Sequence, residues 1–299
     1  MSKEVVAIVV TYNRINLLKE CIQALQRQTY SEYDIVIIDN ASTDGTGDFV
    51  ASINDSRIKY INTGSNLGGA GGFSYGMNMV LKDSLYDYIW LMDDDTIPCE
   101  DALESLVSKS KQLGNNFSFL ASVVKWIDGS SCIMNLQTPS PLALKNVQAL
   151  DLKLIEIEYS SFVSCFINLA IAKEAGLPIK EFFIYGDDVE YTQRLMKLKK
   201  GYLDLDSQVI HKMVSNENVG IVLCPDDRID RYFYAVRNSV YMIRSKSAKK
   251  KLQFIWRRMK SFYSIFRLSP SKKMKRARIF IKGIIAGIRF SPQIVKEYR

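Results

Sequence analysis

Three acids in succession, Asp93-Asp94-Asp95, directly follow the apolar run Tyr88 to Met92. Like charges crowded where a strand ends cost free energy unless a cation offsets them. Hard carboxylate oxygens favour Mg2+ or Mn2+, and a diphosphate can supply the remaining ligands. The competing reading gives one of the three, Asp95, to capping a helix over Thr96 to Leu106. A second acidic block, Gly186-Asp187-Asp188-Val189-Glu190, follows the aromatic run Phe182 to Tyr185 and opens a segment with helical spacing through Leu195. A carboxylate at the positive end of such a helix, shielded by aromatics, suits a general base for an acceptor hydroxyl, with Asp188 as candidate. An acidic helix start without chemistry is the plain alternative. His211 is the chain's one histidine. Lone histidines are more often structural, but two carboxylates and a diphosphate leave room for one imidazole ligand.

Asn66-Leu67-Gly68-Gly69-Ala70-Gly71-Gly72-Phe73 sets four glycines in a loop just before a helical segment. Backbone amides there can approach a phosphate or a sugar closely, although a tight turn also uses glycine. Asp39 ends an apolar run, where its carboxylate can accept hydrogen bonds from a base or ribose, or cap the turn Asn40 to Thr43.

The elements that must position these groups follow from periodicity. Val5 to Val10, Ile35 to Asp39, Ile58 to Ile61 and Tyr88 to Met92 are short runs without helical spacing. Amphipathic segments separate them, Ile15 to Gln26 being the clearest. This alternation predicts an α/β fold with a mostly parallel, doubly wound central sheet whose ligands lie beyond the carboxyl ends of the strands. Phe117 to Trp126 and Ser161 to Ala170 are further strand candidates. Beyond Asp230 the pattern turns helical.

The 299 residues, 47% hydrophobic and 24% charged, exclude disordered and fibrous classes. Five widely spaced cysteines without a Cys-x-x-Cys pair argue against a zinc ribbon or a disulfide framework and for a reducing cytosol. The start of the sequence lacks a signal-peptide pattern, and no window reaches the roughly 18 apolar residues of a membrane span. Residues 244–299 carry 18 Lys and Arg against Glu297 alone, a net +17, leaving −9 for the preceding 243 residues given +8 overall. Leu252, Ile255, Trp256, Met259, Phe262, Tyr263 and Phe266 recur there at helical spacing, as do Ile281, Ile284, Ile285 and Ile288. Two basic amphipathic helices of this kind fit an anionic membrane surface rather than nucleic acid, or else they pack on the catalytic domain.

Taken together, Val9 to Arg14, Asp39 to Thr46, the Asn66 to Phe73 segment, the aspartate triplet, Gly186 to Glu190 and His211 resemble the inverting family 2 glycosyltransferases of the GT-A fold. The closest resemblance is to bacterial galactofuranosyltransferases and their rhamnosyltransferase relatives, over residues 4–215. It implies a Rossmann-like nucleotide-sugar-binding and catalytic domain over residues 1–220 and a basic helical region over residues 221–299. It also implies that Thr11, Tyr12, Arg14, Asp39, Asn66, Gly68, Gly69, Asp93 and Asp94 bind the donor. Asp93, Asp95 and His211 would hold Mn2+ or Mg2+, with Asp188 as base and Tyr185, Asp187 and Glu190 on the acceptor. Where galactofuranosyltransferases often carry tryptophan before Asp-Asp, this chain has Tyr185-Gly186. The Gln-x-x-Arg-Trp block of processive synthases is missing, which favours single addition.

The expected activity is transfer of a sugar, galactofuranose from UDP-galactofuranose or rhamnose from dTDP-rhamnose, to a polyprenyl-diphosphate-linked saccharide at the inner face of the cell membrane. A nucleotidyltransferase fits less well, because its glycine-rich loop ordinarily follows the first strand, where Thr11-Tyr12-Asn13-Arg14 stands. A non-catalytic nucleotide-sugar-binding protein would have no use for Asp188. Nothing in the sequence argues against a homo-oligomer.

Overall fold

A computed structural model describes residues 4–83, 85–217 and 219–296. The chain runs β1 (Val5–Thr11), α1 (Ile15–Gln26), β2 (Tyr33–Asp39), α2 (Thr46–Ala51), β3 (Ile58–Asn62), α3 (Gly68–Asp83) and β4 (Tyr88–Asp93). Then come β5 (Thr96–Pro98), α4 (Ala102–Gln112), β6 (Phe119–Lys125), α5 (Val147–Asp151), β7 (Leu154–Glu156), β8 (Cys165–Asn168) and α6 (Leu169–Ala175). The last elements are α7 (Asp187–Leu195), β9 (Gly201–His211), α8 (Tyr232–Ile243), α9 (Ala248–Leu268) and α10 (Lys273–Arg289).

The strands form one sheet in the order β3-β2-β1-β4-β8-β6-β9-β5, with β7 beside β9. Alternate residues of β1 serve opposite faces, Val5, Ala7 and Val9 on one and Val6, Ile8 and Val10 on the other. Leu18, Ile22 and Leu25 of α1 and Leu103 and Leu106 of α4 cover the first face. Phe73 and Met77 of α3 and Tyr191 and Leu195 of α7 cover the second. Burial on both faces explains why these strands read as unbroken apolar runs.

The expected α/β fold with a mostly parallel central sheet is present: the sheet is parallel through β3-β2-β1-β4 and again at β6-β9, while β8 runs antiparallel between β4 and β6, and β5 and β7 run antiparallel to β9. Three other expectations need correction. The strand drawn over Ser161 to Ala170 is only Cys165–Asn168, because Asn168 caps α6 by accepting from the amides of Ala170 and Ile171. Asp95 caps no helix at Thr96, since Thr96–Pro98 pairs with β9 and the helix begins at Ala102. Gly68 to Gly72 lie inside α3 rather than in a loop ahead of it. A Cβ at Gly72 would stand 2.6 Å from Val10 Cγ1, and one at Gly76 would stand 2.9 Å from Ile8 and Ile38, so these glycines set α3 close against the sheet.

The C-terminal helices have their own small core of Ile221, Val236, Ile265, Ala277 and Phe280. Gly283 and Gly287 let α10 approach α8, where a Cβ would meet Val236 and Val240 at 2.7 and 2.6 Å. Arg276, fully buried, donates to the carbonyls of Ile221 and Cys224 and to Asp226. The α10 helix packs on α8 through Ala277, Phe280, Gly283 and Gly287 but leaves Ile281, Ile285 and Ile288 turned outward, and α9 leaves Leu252, Ile255, Trp256 and Met259 more than half exposed.

Candidate active site

Thr96 pairs with His211 across the β5–β9 ladder, and the amide of Lys212 donates to the carbonyl of Asp95 at 2.9 Å. This register carries the histidine to the end of β4. Its Nε2 lies 3.0 Å from Asp95 Oδ1, and Asp93, Asp95 and His211 each offer a ligand atom within 4.8 Å of the others. Asp94 turns elsewhere. It accepts from Thr11 Oγ1 at 2.8 Å and from Arg14 at 3.2 Å, while a second Arg14 contact reaches Asp95 Oδ2 at 2.8 Å.

Burial and the nearby Asp95 push Asp93 up to about 7, against the opposing charge of His211. Burial likewise lifts Asp94 to about 6, although Arg14 works against it. Burial acts to raise Asp95 too, but the hydrogen bond and charge of His211, with Arg14, bring it below the usual carboxylate range. His211 moves upward: burial disfavours its charge, and hydrogen bonding to Asp95 together with the carboxylates of Asp95 and Asp93 overrides that cost. Two carboxylates and an imidazole nitrogen converging at one recessed point, with surplus negative charge, fit a divalent cation such as Mn2+ or Mg2+.

The loops after β1 and β2 are tied into one wall. Asn13 donates its amide to Ser42 Oγ and accepts from the amide of Thr43, and Asp44 Oδ2 accepts from the amide of Ile15 at the start of α1. Asp39 is fully buried; it accepts from the amide and hydroxyl of Ser42 and from the hydroxyl of Tyr60 at 2.6 Å. The turn cap considered for it is therefore present. Tyr12 and Asn66 are exposed on their loops, and Asn66 Oδ1 accepts from the amide of Gly68. Gly68 has φ +71°, and a Cβ there would fall 2.2 Å from the carbonyl oxygen of Phe183, which also accepts from the amide of Ala70. The glycine segment and the second acidic block thus meet. Gly69, with open space around it, lies on the same turn.

That block enters α7 through strained backbone. Phe183 has φ 64° and ψ −56°, a tight turn closed by Ile184 N to Phe182 O, and Tyr185 and Gly186 follow at φ 69° and 83°. Asn238 of α8 holds this shape by donating to the carbonyls of Phe182, Ile184 and Tyr185. Aromatic rings of α8 add to it, Tyr234 stacking on Phe183 and Tyr232 lying against Tyr185. Asp187 is buried and raised well above the carboxylate range, by burial first, then by Asp188 and by Asp93. Asp188, partly open, is raised by burial to about 6. Both carboxylate oxygens of Glu190 are taken by Arg194, which also donates to the carbonyls of Ala175 and Leu177. Glu190 thereby braces α7 through Arg194.

Two positioning residues had no signal in the sequence. Tyr60 sits in an ordinary strand and Asn238 in a helix whose spacing says nothing of its partners. Their roles depend on partners 21 and 53 to 56 residues away.

Residues 6–161 match the family described as glycosyl transferase family 2. The chain is 29% identical over 297 residues to Galactofuranosyltransferase GlfT1 of Mycobacterium tuberculosis (strain CDC 1551 / Oshkosh), covering 90% of this chain and 92% of that one. It is 26% identical to the GlfT1 of Mycolicibacterium smegmatis over 88% of this chain and 90% of that one. Among solved structures, S. aureus TarS aligns over 96% of this chain and 44% of its own, with a TM-score of 0.56 and 15% identity. Its residues 1–349 in complex with UDP align over 96% of this chain and 72% of that one, with a TM-score of 0.54 and 16% identity, a likeness of fold.

Proposed function

The chain belongs to glycosyl transferase family 2, and on that premise we propose that it is an inverting, divalent-metal-dependent galactofuranosyltransferase that uses UDP-galactofuranose. The convergence of Asp93, Asp95 and His211 within 4.8 Å, with Asp187 near enough to Asp93 to be raised by its charge and Asp188 next in the chain, carries the catalytic reading. The galactofuranosyltransferase relatives, matched over nine-tenths of their length, support the choice of sugar.

The donor lies beyond the carboxyl ends of β1, β2 and β4. Asp39, Thr11 and the exposed Tyr12 address its nucleoside end, and Asn66, Gly68 and Gly69 its sugar side. Arg14 and Asp94 flank the diphosphate, and Arg14 can exchange its carboxylate partners for phosphate oxygens. Asp93, Asp95 and His211 would hold a divalent cation, which would supply charge neutralisation for the diphosphate leaving group. Asp188 takes the proton of the acceptor hydroxyl as its oxygen bonds to the anomeric carbon. The bond from that carbon to the phosphate oxygen breaks on the opposite face, and the nucleoside diphosphate leaves with the electron pair, inverting the configuration. Burial raises Asp188 toward neutrality, which strengthens it as a base while keeping it ionised at pH 7. Tyr185 and Asp187 border the acceptor.

In this reading, residues up to 220 hold the chemistry and the helical remainder docks on the cytoplasmic face of the cell membrane. No helix among the described residues is long and apolar enough to cross a membrane. The exposed apolar face of α9, flanked by Lys and Arg, supports an anionic lipid surface as its partner. A polyprenyl-diphosphate-linked saccharide is the acceptor such docking serves, in cell-surface polysaccharide synthesis. Thermal unfolding with Mn2+ and a panel of nucleotide sugars tests the donor. UDP-galactofuranose should raise the midpoint more than UDP-glucose, UDP-galactose or dTDP-rhamnose. A larger rise with dTDP-rhamnose rejects the assignment.

A further inference from the structure

The turn Ile133–Asn135 lies in the connection between β6 and α5 and brings Asn135, itself buried, against the far side of the His211 ring. Asn135 Oδ1 stands 2.8 Å from His211 Nδ1. Its Nδ2 donates to Ser161 Oγ at 2.9 Å, so the oxygen of the carboxamide, not its nitrogen, faces the ring. Cys132 Sγ donates to the same oxygen at 3.0 Å. The turn is pinned just beyond the histidine strand, because Asn216 accepts from the amide of Ile133 and donates to the carbonyl of Ser131.

A carboxamide oxygen only accepts, so the nitrogen facing it must carry a hydrogen. The lone pair available for a cation is then on Nε2, the atom that lies 3.0 Å from Asp95 Oδ1. We infer that Asn135 is a positioning residue that holds His211 in the Nδ1-protonated tautomer, with Nε2 aimed at the Asp93–Asp95 centre. The assignment rests on the reading of Asp93, Asp95 and His211 as metal ligands. A hydrogen-bond acceptor behind a ligating imidazole fixes both ring rotation and tautomer, and its removal ordinarily weakens metal binding by about 10- to 100-fold. The sequence between β6 and β8, which carries no strand or helix signal of its own, thereby acquires a role in the site.

The test is Mn2+ binding to the full chain, followed by electron paramagnetic resonance. Asn135→Leu and Asn135→Ala should each weaken Mn2+ about tenfold or more, whereas Asn135→Asp, which keeps the acceptor, should stay within about threefold of the parent. Using both apolar variants keeps the question open to decision if one fails to fold. Because the chain holds one histidine, 15N-imidazole labelling reports His211 alone. Loaded with diamagnetic Cd2+, the parent and Asn135→Asp should show a protonated Nδ1 and a metal-bound Nε2, and the apolar variants should lose that single pattern. Folded apolar variants that bind Mn2+ within about twofold of the parent, while His211→Ala has lost it, overturn this inference alone. Undiminished binding by His211→Ala overturns the metal-site reading and this inference with it.

Discussion

His211 Nε2 lies 3.0 Å from Asp95 Oδ1, although 116 residues separate the two in sequence. The last strand of the sheet delivers a ring nitrogen to a carboxylate that, without it, would face only like charge and Arg14. In the absence of a cation the ring is held protonated by that contact, so a metal ion must displace a proton to gain Nε2.

Metal affinity should therefore rise with pH. Burial and Asp95 hold Asp93 up to about 7, so its proton too must leave. Mn2+ affinity measured by calorimetry should increase about tenfold or more from pH 5.5 to 7.5, with proton release visible as a dependence on buffer ionisation enthalpy. Asp95→Ala and His211→Ala should abolish binding, and chelation with EDTA should stop transfer. Affinity independent of pH would argue that these groups do not ligate.

Asp188→Asn should lower the rate of sugar transfer by about 100- to 10,000-fold while leaving donor affinity within a few-fold. In the parent enzyme the base must be ionised, and burial sets Asp188 at about 6. At saturating Mn2+, activity should accordingly fall as pH drops through about 6 and level off above it. Transfer by Asp188→Asn at parental rate removes Asp188 from the mechanism.

Gly68→Ala places a Cβ 2.2 Å from the Phe183 carbonyl, on a residue whose φ is +71°. The expected cost is about 1 to 3 kcal/mol of stability. Because Phe183 leads directly into Tyr185 and Asp188, transfer should fall even at temperatures where the variant is folded. Calorimetric unfolding and initial rates on the same sample check both. Gly69→Ala, with open space around that position, should change stability little by comparison.

The α9 face offers a direct test of membrane docking. Trp256 and Met259 are 63% and 68% exposed, so Trp256→Glu with Met259→Glu should leave the fold intact. Co-sedimentation with phosphatidylglycerol vesicles should drop sharply, and neutral vesicles should bind weakly throughout. Transfer to a water-soluble acceptor should be unchanged. Truncation after Asn238 is a poorer probe, because it cuts α8 short and uncovers Val236, on which α10 packs. Equal sedimentation of the double variant and the parent would leave α9 without this role.

Local pattern was enough to place β1, α1, β2 and β4 and to locate Asp93, Asp95, Asp188 and His211 as the groups of interest. Strand and helix periods are set by each segment's own side chains, and crowded acids after an apolar run announce themselves without tertiary information. The tertiary structure decided the rest, because its determinants pair residues that sequence holds far apart. The β5–β9 register brought His211 to Asp95, and the reversal of β8 between β4 and β6 could not be read from an apolar run that is the same in either direction. Asn135 and Asn238 act only through the carbonyls and the ring that folding sets beside them. In the tail, helical spacing was plain in the sequence. Which face of α10 is buried was decided by Gly283, Gly287 and the buried Arg276, which seat it on α8 and leave Ile281, Ile285 and Ile288 outward along with the apolar face of α9.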